Sequence, residues 1–326
     1  MTATRPDPAA GSARAGAPSR PERLAVVKGH GTENDFLLVD DRAGVLDLLP
    51  ADVRALTDRR AGLGADGVIR LAPGDTLPEG RACLAEDPAA VWFMDYRNAD
   101  GTPAEMCGNG VRVTALFAER LGVWDGAGEL VLGTRAGVRR VRRVADPTGG
   151  ADPWYAVEMG AWHLPAGGAG AAGDAEVDVP GLDVTRPGLS VDVGNPHTVV
   201  ALADERELSA ADLTTAPRVA PVPPRGTNVE IVVPLGERSL PGGTLLGELR
   251  MRVHERGVGE TRSCGTGACA AAMAVRTWAG PGAPDVWWVH VPGGTVQVTA
   301  LPADRVELAG PAVLVADAVV TLPAAG

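Results

Sequence analysis

Four cysteines occur in the chain, and two of them stand in matching surroundings. Cys107-Gly-Asn-Gly110 opens one stretch of helical spacing, and Cys264-Gly-Thr-Gly267 opens another. They lie 264 − 107 = 157 positions apart, and the same offset carries Asn98 onto Glu255, each nine positions before its cysteine at the end of an expected strand. A helix start exposes unpaired backbone N–H groups and carries about half a unit of positive charge. A cysteine placed there is expected to have a lowered pKa. The glycines that follow admit close approach of a ligand, and a carboxylate can rest on the N–H groups of both helices at once. That carboxylate takes up charge when the adjacent carbon loses its proton. One thiolate removing the proton from one face, with a thiol donating from the other, inverts a stereocentre without cofactor or metal. An unperturbed thiol pKa of about 8.5 suits both roles.

Two such groups need two similar halves facing each other across a cleft, which is what a repeat of this kind implies. The rest of the sequence is consistent with that. Short β-branched or aromatic runs at 24–27, 36–40, 91–96, 130–133, 138–144, 190–193, 198–202, 230–234, 248–253, 286–290, 295–301, 306–308 and 313–315 read as strands. A Gly-His-Gly turn at 29–31 separates the first two. Helical spacing marks 111–121, with Val111, Ala115, Leu116 and Ala118 on one side, and the Ala-rich 267–278. With 43 Gly and 27 Pro, the chain reads as many short elements joined by tight turns. Hydrophobic residues make up 45% but aromatics only 4%, so the core must be built from Val, Leu and Ala. The expected fold class is α+β.

A net charge of −11 excludes the basic footprint that nucleic acid requires and disfavours an anionic membrane surface. No apolar run reaches the length of a membrane span. Residues 1–22, rich in Ala, Pro, Arg, Ser and Gly, read as a disordered tail without the apolar stretch of a secretory signal. Four cysteines in a chain this long do not make a disulfide framework. Gly168–Gly173 matches a dinucleotide-binding spacing but lacks the strand-then-helix context, so it reads as a flexible loop. Lys28 is the only lysine, a bias we ascribe to base composition.

Taken in order, several stretches resemble the diaminopimelate epimerase family over roughly residues 24–316. They are Lys28-Gly-His-Gly-Thr-Glu-Asn-Asp-Phe36, Gly62-Leu-Gly-Ala-Asp-Gly67, Tyr96-Arg-Asn-Ala-Asp-Gly101, Glu105-Met-Cys-Gly-Asn-Gly110, Gly194-Asn-Pro-His197, Gly226-Thr-Asn228 and the run from His254 to Cys269. The resemblance implies two pseudo-symmetric domains, each a β-barrel-like sheet wrapped around a central helix, with the active site in the cleft. Residues 23–148 with 311–326 would form one domain and 149–310 the other. It implies an isomerase that converts L,L-2,6-diaminopimelate to the meso isomer for L-lysine and peptidoglycan synthesis, cytoplasmic, homodimeric, and without cofactor or metal. Cys107 and Cys264 match the acid/base pair. Gly108, Asn109, Gly265 and Thr266 match the residues that hold the reacting carboxylate. Asn34, Asn98, Asn195, Asn228, Glu255 and Arg256 match substrate-binding positions, and His197 and Glu255 match positions that tune the thiols. Arg256 suits a bidentate grip on a distal carboxylate. The sequence departs at Thr32-Glu33, where many relatives have Leu-Gly, and at Gly67, where some carry glutamine.

Three other readings compete. A related two-base racemase of proline or hydroxyproline would need room for a ring and no distal clamp. A zinc or redox protein would use Cys107, Cys264, His197 and His254, but no close C-x-x-C pair is present. A non-catalytic binding module would keep the carboxylate cradle and have no need of two thiols.

Overall fold

The computed structural model describes residues 19–167, 172–240 and 242–323. In chain order it contains β1 (Arg23–Gly31), β2 (Asn34–Asp40), α1 (Pro50–Thr57), β3 (Gly67–Pro73), α2 (Pro78–Glu86), β4 (Trp92–Asn98), α3 (Gly108–Arg120), β5 (Glu129–Thr134), β6 (Gly137–Val144) and β7 (Trp154–Ala161). There follow β8 (Ala175–Asp178), β9 (Arg186–Asp192), β10 (Pro196–Ala201), α4 (Glu205–Ala210), β11 (Arg218–Ala220), β12 (Asn228–Ser239), β13 (Leu245–Glu255) and β14 (Gly259–Thr261). The chain ends with α5 (Gly265–Ala279), β15 (Val286–Val291), β16 (Gly294–Leu301), β17 (Arg305–Pro311) and β18 (Val313–Thr321).

The strand pairings repeat. β1 is antiparallel to β2, β2 parallel to β3, β3 antiparallel to β4 and β4 parallel to β5, with β5, β6 and β7 following antiparallel. The same alternation runs from β9 through β10, β12, β13, β15 and β16 to β17. An outer strand completes each run, β18 beside β1 and β8 beside β9. The runs join where β7 and β17 pair antiparallel. Parallel neighbours need a crossover. The long helices supply it at the same place in each run: α3 leads from β4 to β5, and α5 from the β13–β14 hairpin to β15. This is the expected α+β architecture of duplicated sheet around helix.

Both helices are core elements. α3 packs against β1–β4, β6, β7, β17 and β18, and α5 against β9, β10, β12, β13 and β15–β17. A helix enclosed on all sides is usually apolar all round, as α5 is, whereas α3 also buries Asn109, Arg112 and Thr114. Every residue from Ala268 to Val275 is accordingly buried, and six of these eight positions are occupied by alanine or cysteine-sized side chains that let strands approach closely. The one-sided spacing expected for α3 understates its burial, because Gly108–Ala115, Phe117 and Ala118 are all enclosed.

Several elements left no expected signal. α1 and α2 begin with Pro after a leucine cap, so neither shows the polar side-chain cap that marks a helix start in sequence. β3 is buried along six consecutive positions and therefore lacks alternation. The first hairpin also differs from expectation. Gly29-His30-Gly31 is strand, paired with Phe36, Asp35 and Asn34, and the turn is Thr32-Glu33. Both turn residues have positive φ, 51° and 63°, the geometry of a two-residue hairpin turn that follows the twist of its strands.

Residues 1–18 of the expected tail and 168–171 of the Gly-rich loop lie outside the described residues. Residues 19–22 are placed. Ser19 bridges to Leu46, Arg20 pairs with Asp52, and Leu322 N donates to the Glu22 carbonyl at 2.9 Å. Lys28 is an anchor here, its ammonium 2.8 Å from Asp35 and bonded to the Gly64 carbonyl.

The Thr32-Glu33 turn also meets the β15–β16 turn. Glu33 pairs with Arg262, and a Cβ added at Gly293 would lie 1.8 Å from the Thr32 carbonyl oxygen. Gly293→Ala should therefore lower the unfolding free energy by about 1–3 kcal/mol through overpacking, measured by urea denaturation. An unchanged midpoint would show that the two turns are not held in contact.

Candidate active site

Cys107 is the cap residue of α3 and Cys264 the cap residue of α5, both in extended backbone geometry. The two helix starts abut. A Cβ on Gly265 would lie 3.5 Å from Gly108 Cα, and a Cβ on either glycine would come within 3.0 Å of the Leu308 side chain. Only residues without side chains allow this approach. Asn109, on the first helix, donates from Nδ2 to the Ser263 carbonyl, immediately before Cys264, at 3.1 Å. The two helix starts thus hold Cys107, Gly108, Asn109, Cys264, Gly265 and Thr266 together, with the first N–H groups of each helix beside its own sulfur.

Each sulfur has its own surroundings. Cys107 Sγ donates to Asn34 Oδ1 at 3.3 Å, an oxygen that also accepts from Asn109 Nδ2 at 3.2 Å. Asp66 orients Asn34 by accepting from its Nδ2 at 2.6 Å. Cys264 Sγ accepts from Gly267 N–H at 3.3 Å and lies 3.5 Å from Thr266 Oγ1. Behind Thr266, Asn195 Nδ2 donates to Thr266 Oγ1 at 3.3 Å, Asn195 Oδ1 lies 3.0 Å from His197 Nε2, and His197 Nδ1 lies 2.7 Å from Glu230 Oε1. His197 and Glu230 are both wholly buried.

Glu255 closes β13, where it accepts from Thr261 Oγ1. Asn228 Oδ1 accepts from Arg256 N–H at 2.9 Å, while the exposed Arg256 guanidinium donates to the Arg225 carbonyl. Gly226 leaves room for that side chain, since a Cβ there would sit 2.7 Å from Arg256 Cδ. Asn98 closes β4, bonded within its own turn to Thr102 Oγ1 at 3.2 Å. Its neighbour Ala99 donates to the Asp66 carbonyl, so the Asn98 turn and Asn34 share one anchor.

The electrostatics reverse one expectation. Burial pushes the Cys107 thiol up to about 11, and the Glu255 carboxylate adds to the rise, against the lowering effect of hydrogen bonds from Gly110 and Asn109. Burial also pushes Cys264 well above the ordinary thiol range, reinforced by Glu255 and Glu230 and opposed by Thr266 and Gly267. Loss of solvation therefore outweighs the helix-start field that was expected to make these thiols acidic. The Glu255 charge acts on both sulfurs. Its own carboxyl is raised, chiefly by burial.

Four residues near this site were not singled out from sequence. Asp66 lay within a matching stretch without an assigned role. Ser263 likewise lay within a matching stretch without an assigned role, and nothing in the spacing of Glu230 and Arg112 marks them: each depends on a contact between distant segments. The Gly67 departure has a packing reason. A Cβ there would lie 2.4 Å from the Arg97 carbonyl oxygen and 2.6 Å from the Tyr96 ring. Among the described residues no three His, Cys, Asp or Glu side chains converge as a metal site.

The family model described as diaminopimelate epimerase matches residues 26–162 and 189–315. A diaminopimelate epimerase of Streptomyces coelicolor is 46% identical over 304 residues, covering 90% of this chain and 94% of its own. One of Thermobifida fusca is 44% identical over 305 residues, covering 92% and 99%. Among solved structures, a phenazine biosynthesis protein of the PhzF family from Bacillus anthracis superposes with a TM-score of 0.62 at 15% identity, over 92% of this chain and 99% of that one. A hydroxyproline epimerase from Agrobacterium vitis with bound trans-4-hydroxy-L-proline superposes with a TM-score of 0.54 at 15% identity, over 92% and 93%. Likeness at these identities concerns the fold alone.

With a pKa of about 11, Cys107 is only about one part in a thousand thiolate at pH 8. Iodoacetamide labelling of Cys107 in the ligand-free protein, followed by mass spectrometry, should accelerate tenfold per pH unit through pH 9 and level off only near 11. A plateau below pH 8 would contradict the dominance of burial. Glu230→Gln should move the Cys264 labelling profile to lower pH, because it removes one of the two carboxylates facing that sulfur.

Proposed function

The chain belongs to the diaminopimelate epimerase family, and we propose that it inverts one α-carbon of L,L-2,6-diaminopimelate to give the meso isomer, with Cys107 and Cys264 as the two proton-transfer groups. The observation that carries this reading is the abutting of two cysteine-capped helix starts over Leu308. The α-carboxylate rests on the N–H groups that follow the two cysteines, at Gly108, Asn109, Gly265 and Thr266. One sulfur, as thiolate, takes the α-proton. The electron pair left on carbon spreads into the carboxylate, where the helix-start N–H groups stabilise it. The opposite thiol delivers its proton to the other face and becomes the thiolate. Charge and proton count are conserved, and no external redox partner takes part.

The high resting thiol pKa values fit this scheme once substrate charge is included. The substrate's ammonium groups pair with Glu255, which otherwise repels negative charge on both sulfurs, so binding makes thiolate formation easier. Asn34, Asn98, Asn195 and Asn228 orient the amino-acid groups. Arg256 turns from the Arg225 carbonyl to grip the distal carboxylate, and His197, backed by Glu230, sets the orientation of Asn195 and Thr266 beside Cys264.

We assign β1–β6 with β18 to one domain and β8–β16 to the other, with β7 and β17 as the seam. Boundary 148/149 falls in the β6–β7 connection, and 310/311 falls just before the last residue of β17. The product would serve L-lysine and peptidoglycan synthesis in the cytoplasm, where reduced thiols persist. No helix among the described residues is long and apolar enough to cross a membrane. Association as a homodimer is supported by β18, whose one pairing among the described residues is with β1 and which exposes Val315 and Val319.

Incubation with L,L-diaminopimelate in heavy water should place deuterium at one α-carbon as the meso form appears. Turnover of proline in place of diaminopimelate would reject the substrate assignment. Cys107→Ala and Cys264→Ala should each reduce kcat by about a hundredfold to ten-thousandfold or more, as loss of an essential acid/base group does. Retention of turnover in either variant would rule out the two-thiol scheme.

A further inference from the structure

One charged side chain lies inside the paired helix starts without a counter-ion. Arg112, five residues after Cys107 on α3, is 0% exposed. Its Nη2 donates to Thr32 Oγ1 at 3.2 Å and its Nε to the Pro311 carbonyl at 3.4 Å, and Nη1 has no hydrogen-bond partner among the described residues. It forms no ion pair there. The other deeply buried arginine, Arg70, is bridged by both Asp41 and Asp95. The chain makes a seat for the Arg112 guanidinium: a Cβ on Gly31 would lie 3.1 Å from Nη2, and one on Gly310 would lie 3.2 Å from Cζ.

The repeat makes this arginine conspicuous. The 157-residue offset carries Arg112 onto Cys269 of α5, so the corresponding place in the second helix holds a small neutral side chain. Arg112 lies close enough to both Cys107 and Cys269 for their charges to act on each other. The polar path from it is continuous. Thr32 Oγ1 lies 2.7 Å from Ser263 Oγ, Ser263 Oγ accepts from Asn109 Nδ2 at 3.3 Å, and Asn109 Nδ2 also donates to the Asn34 oxygen that receives the Cys107 thiol. One standing carboxylate borders that path, Asp66, which accepts from Asn34 Nδ2 and is paired with Arg59.

A lone cation in such a place is unfavourable, since burial disfavours the charged form and holds Arg112 down to about 10. It remains charged at neutral pH, and in a poorly solvated interior its field reaches further than that of a surface arginine. We propose that Arg112 is a positioning residue whose buried guanidinium is the standing counter-charge for the anion that occupies the paired helix starts: the Cys107 thiolate, and the negative charge that develops on the substrate's α-carboxylate. The second half of this statement rests on the epimerase reading above. The first half does not.

The groups that act most strongly on the Cys107 thiol are Glu255 from β13 and Arg112 from its own helix; Tyr96 of β4 is also coupled to it, Cys264 stands at the abutting helix start, and Asp66 holds the Asn34 that accepts from the thiol. Glu255 disfavours the thiolate, Tyr96 is neutral at working pH with its phenol raised by burial, and Arg112 favours the thiolate. Cys269, which Arg112 also influences, is a buried thiol raised to about 12 and remains neutral.

The test uses the full chain with Arg112→Met, which keeps length without charge, and Arg112→Lys, which keeps charge without the planar fork. Iodoacetamide labelling of Cys107 across pH 7–11 needs no substrate, so it stands whether or not diaminopimelate is turned over. Arg112→Met should slow labelling at a fixed pH by about threefold to tenfold, shifting the profile to higher pH, as removal of a nearby buried charge predicts. Arg112→Lys should stay near the wild-type profile. Thermal unfolding of Arg112→Met should be unchanged or shifted upward, because an unpaired buried charge has been removed. Where diaminopimelate is turned over, kcat should fall with KM little changed. Coincident wild-type and Arg112→Met profiles overturn the proposal. So does a Lys variant that shifts as far as the Met variant, or an Arg112→Met chain that unfolds, which would assign the guanidinium to the fold.

Discussion

The structure depends on the burial of two helix starts against each other. α3 and α5 meet at Gly108 and Gly265, with Leu308 beneath both. Gly108, Asn109 and Gly265 are buried at that contact, which shields the first N–H groups of each helix from bulk water and suits them to an anion from outside. The same exclusion of water pushes both thiols up and holds the Arg112 guanidinium down. An exposed pair of Cys-Gly-x-Gly turns would have the opposite balance, with the helix field prevailing. Desolvation therefore makes the site reluctant to hold charge when empty and sensitive to charge when filled.

The duplicated topology supplies two equivalent scaffolds, and side-chain differences make them unequal. Cys107 donates a hydrogen bond to an amide oxygen oriented by Asp66, whereas Cys264 accepts one from an N–H and sits in front of an Asn195–His197–Glu230 chain. Two carboxylates act on Cys264 and one on Cys107. The sulfurs are thus tuned differently although the backbone around each is alike. This asymmetry suits a stereocentre whose two faces see different remainders of the same molecule.

The halves are held at this site by few contacts of high specificity. β7 and β17 pair at the seam, Thr32 reaches Ser263, and Glu33 pairs with Arg262. Thr32 and Glu33 can make these contacts because both adopt positive φ, a geometry that points a two-residue turn across the seam. A β-branched residue in that conformation is strained, and here its hydroxyl joins Arg112 to Ser263. The departure at this turn thus carries a polar bridge between the two halves.

Much of this was legible in the sequence. The repeat of Cys-Gly-x-Gly with its 157-residue offset, the strand ends at Asn98 and Glu255, and the α+β class all follow from local spacing and residue type, because turns and helix starts are encoded locally. The matching stretches also marked Asn34, Asn195, His197 and Thr266, which the fold brings beside the sulfurs. The first turn was placed one step early, since Gly-His-Gly resembles a turn in isolation and only pairing with β2 makes it strand. The acidity of the thiols was read with the wrong sign, because burial is a property of the assembled core and not of the motif. Asp66, Glu230, Ser263 and Arg112 became visible only in three dimensions, since each acts through a partner at least 32 positions away in sequence or, for the effect of Arg112 on Cys107, through the exclusion of water. Sequence by itself determined which groups stand at the helix starts. The tertiary structure decided how strongly they hold their protons, because that depends on what surrounds them once solvent is gone.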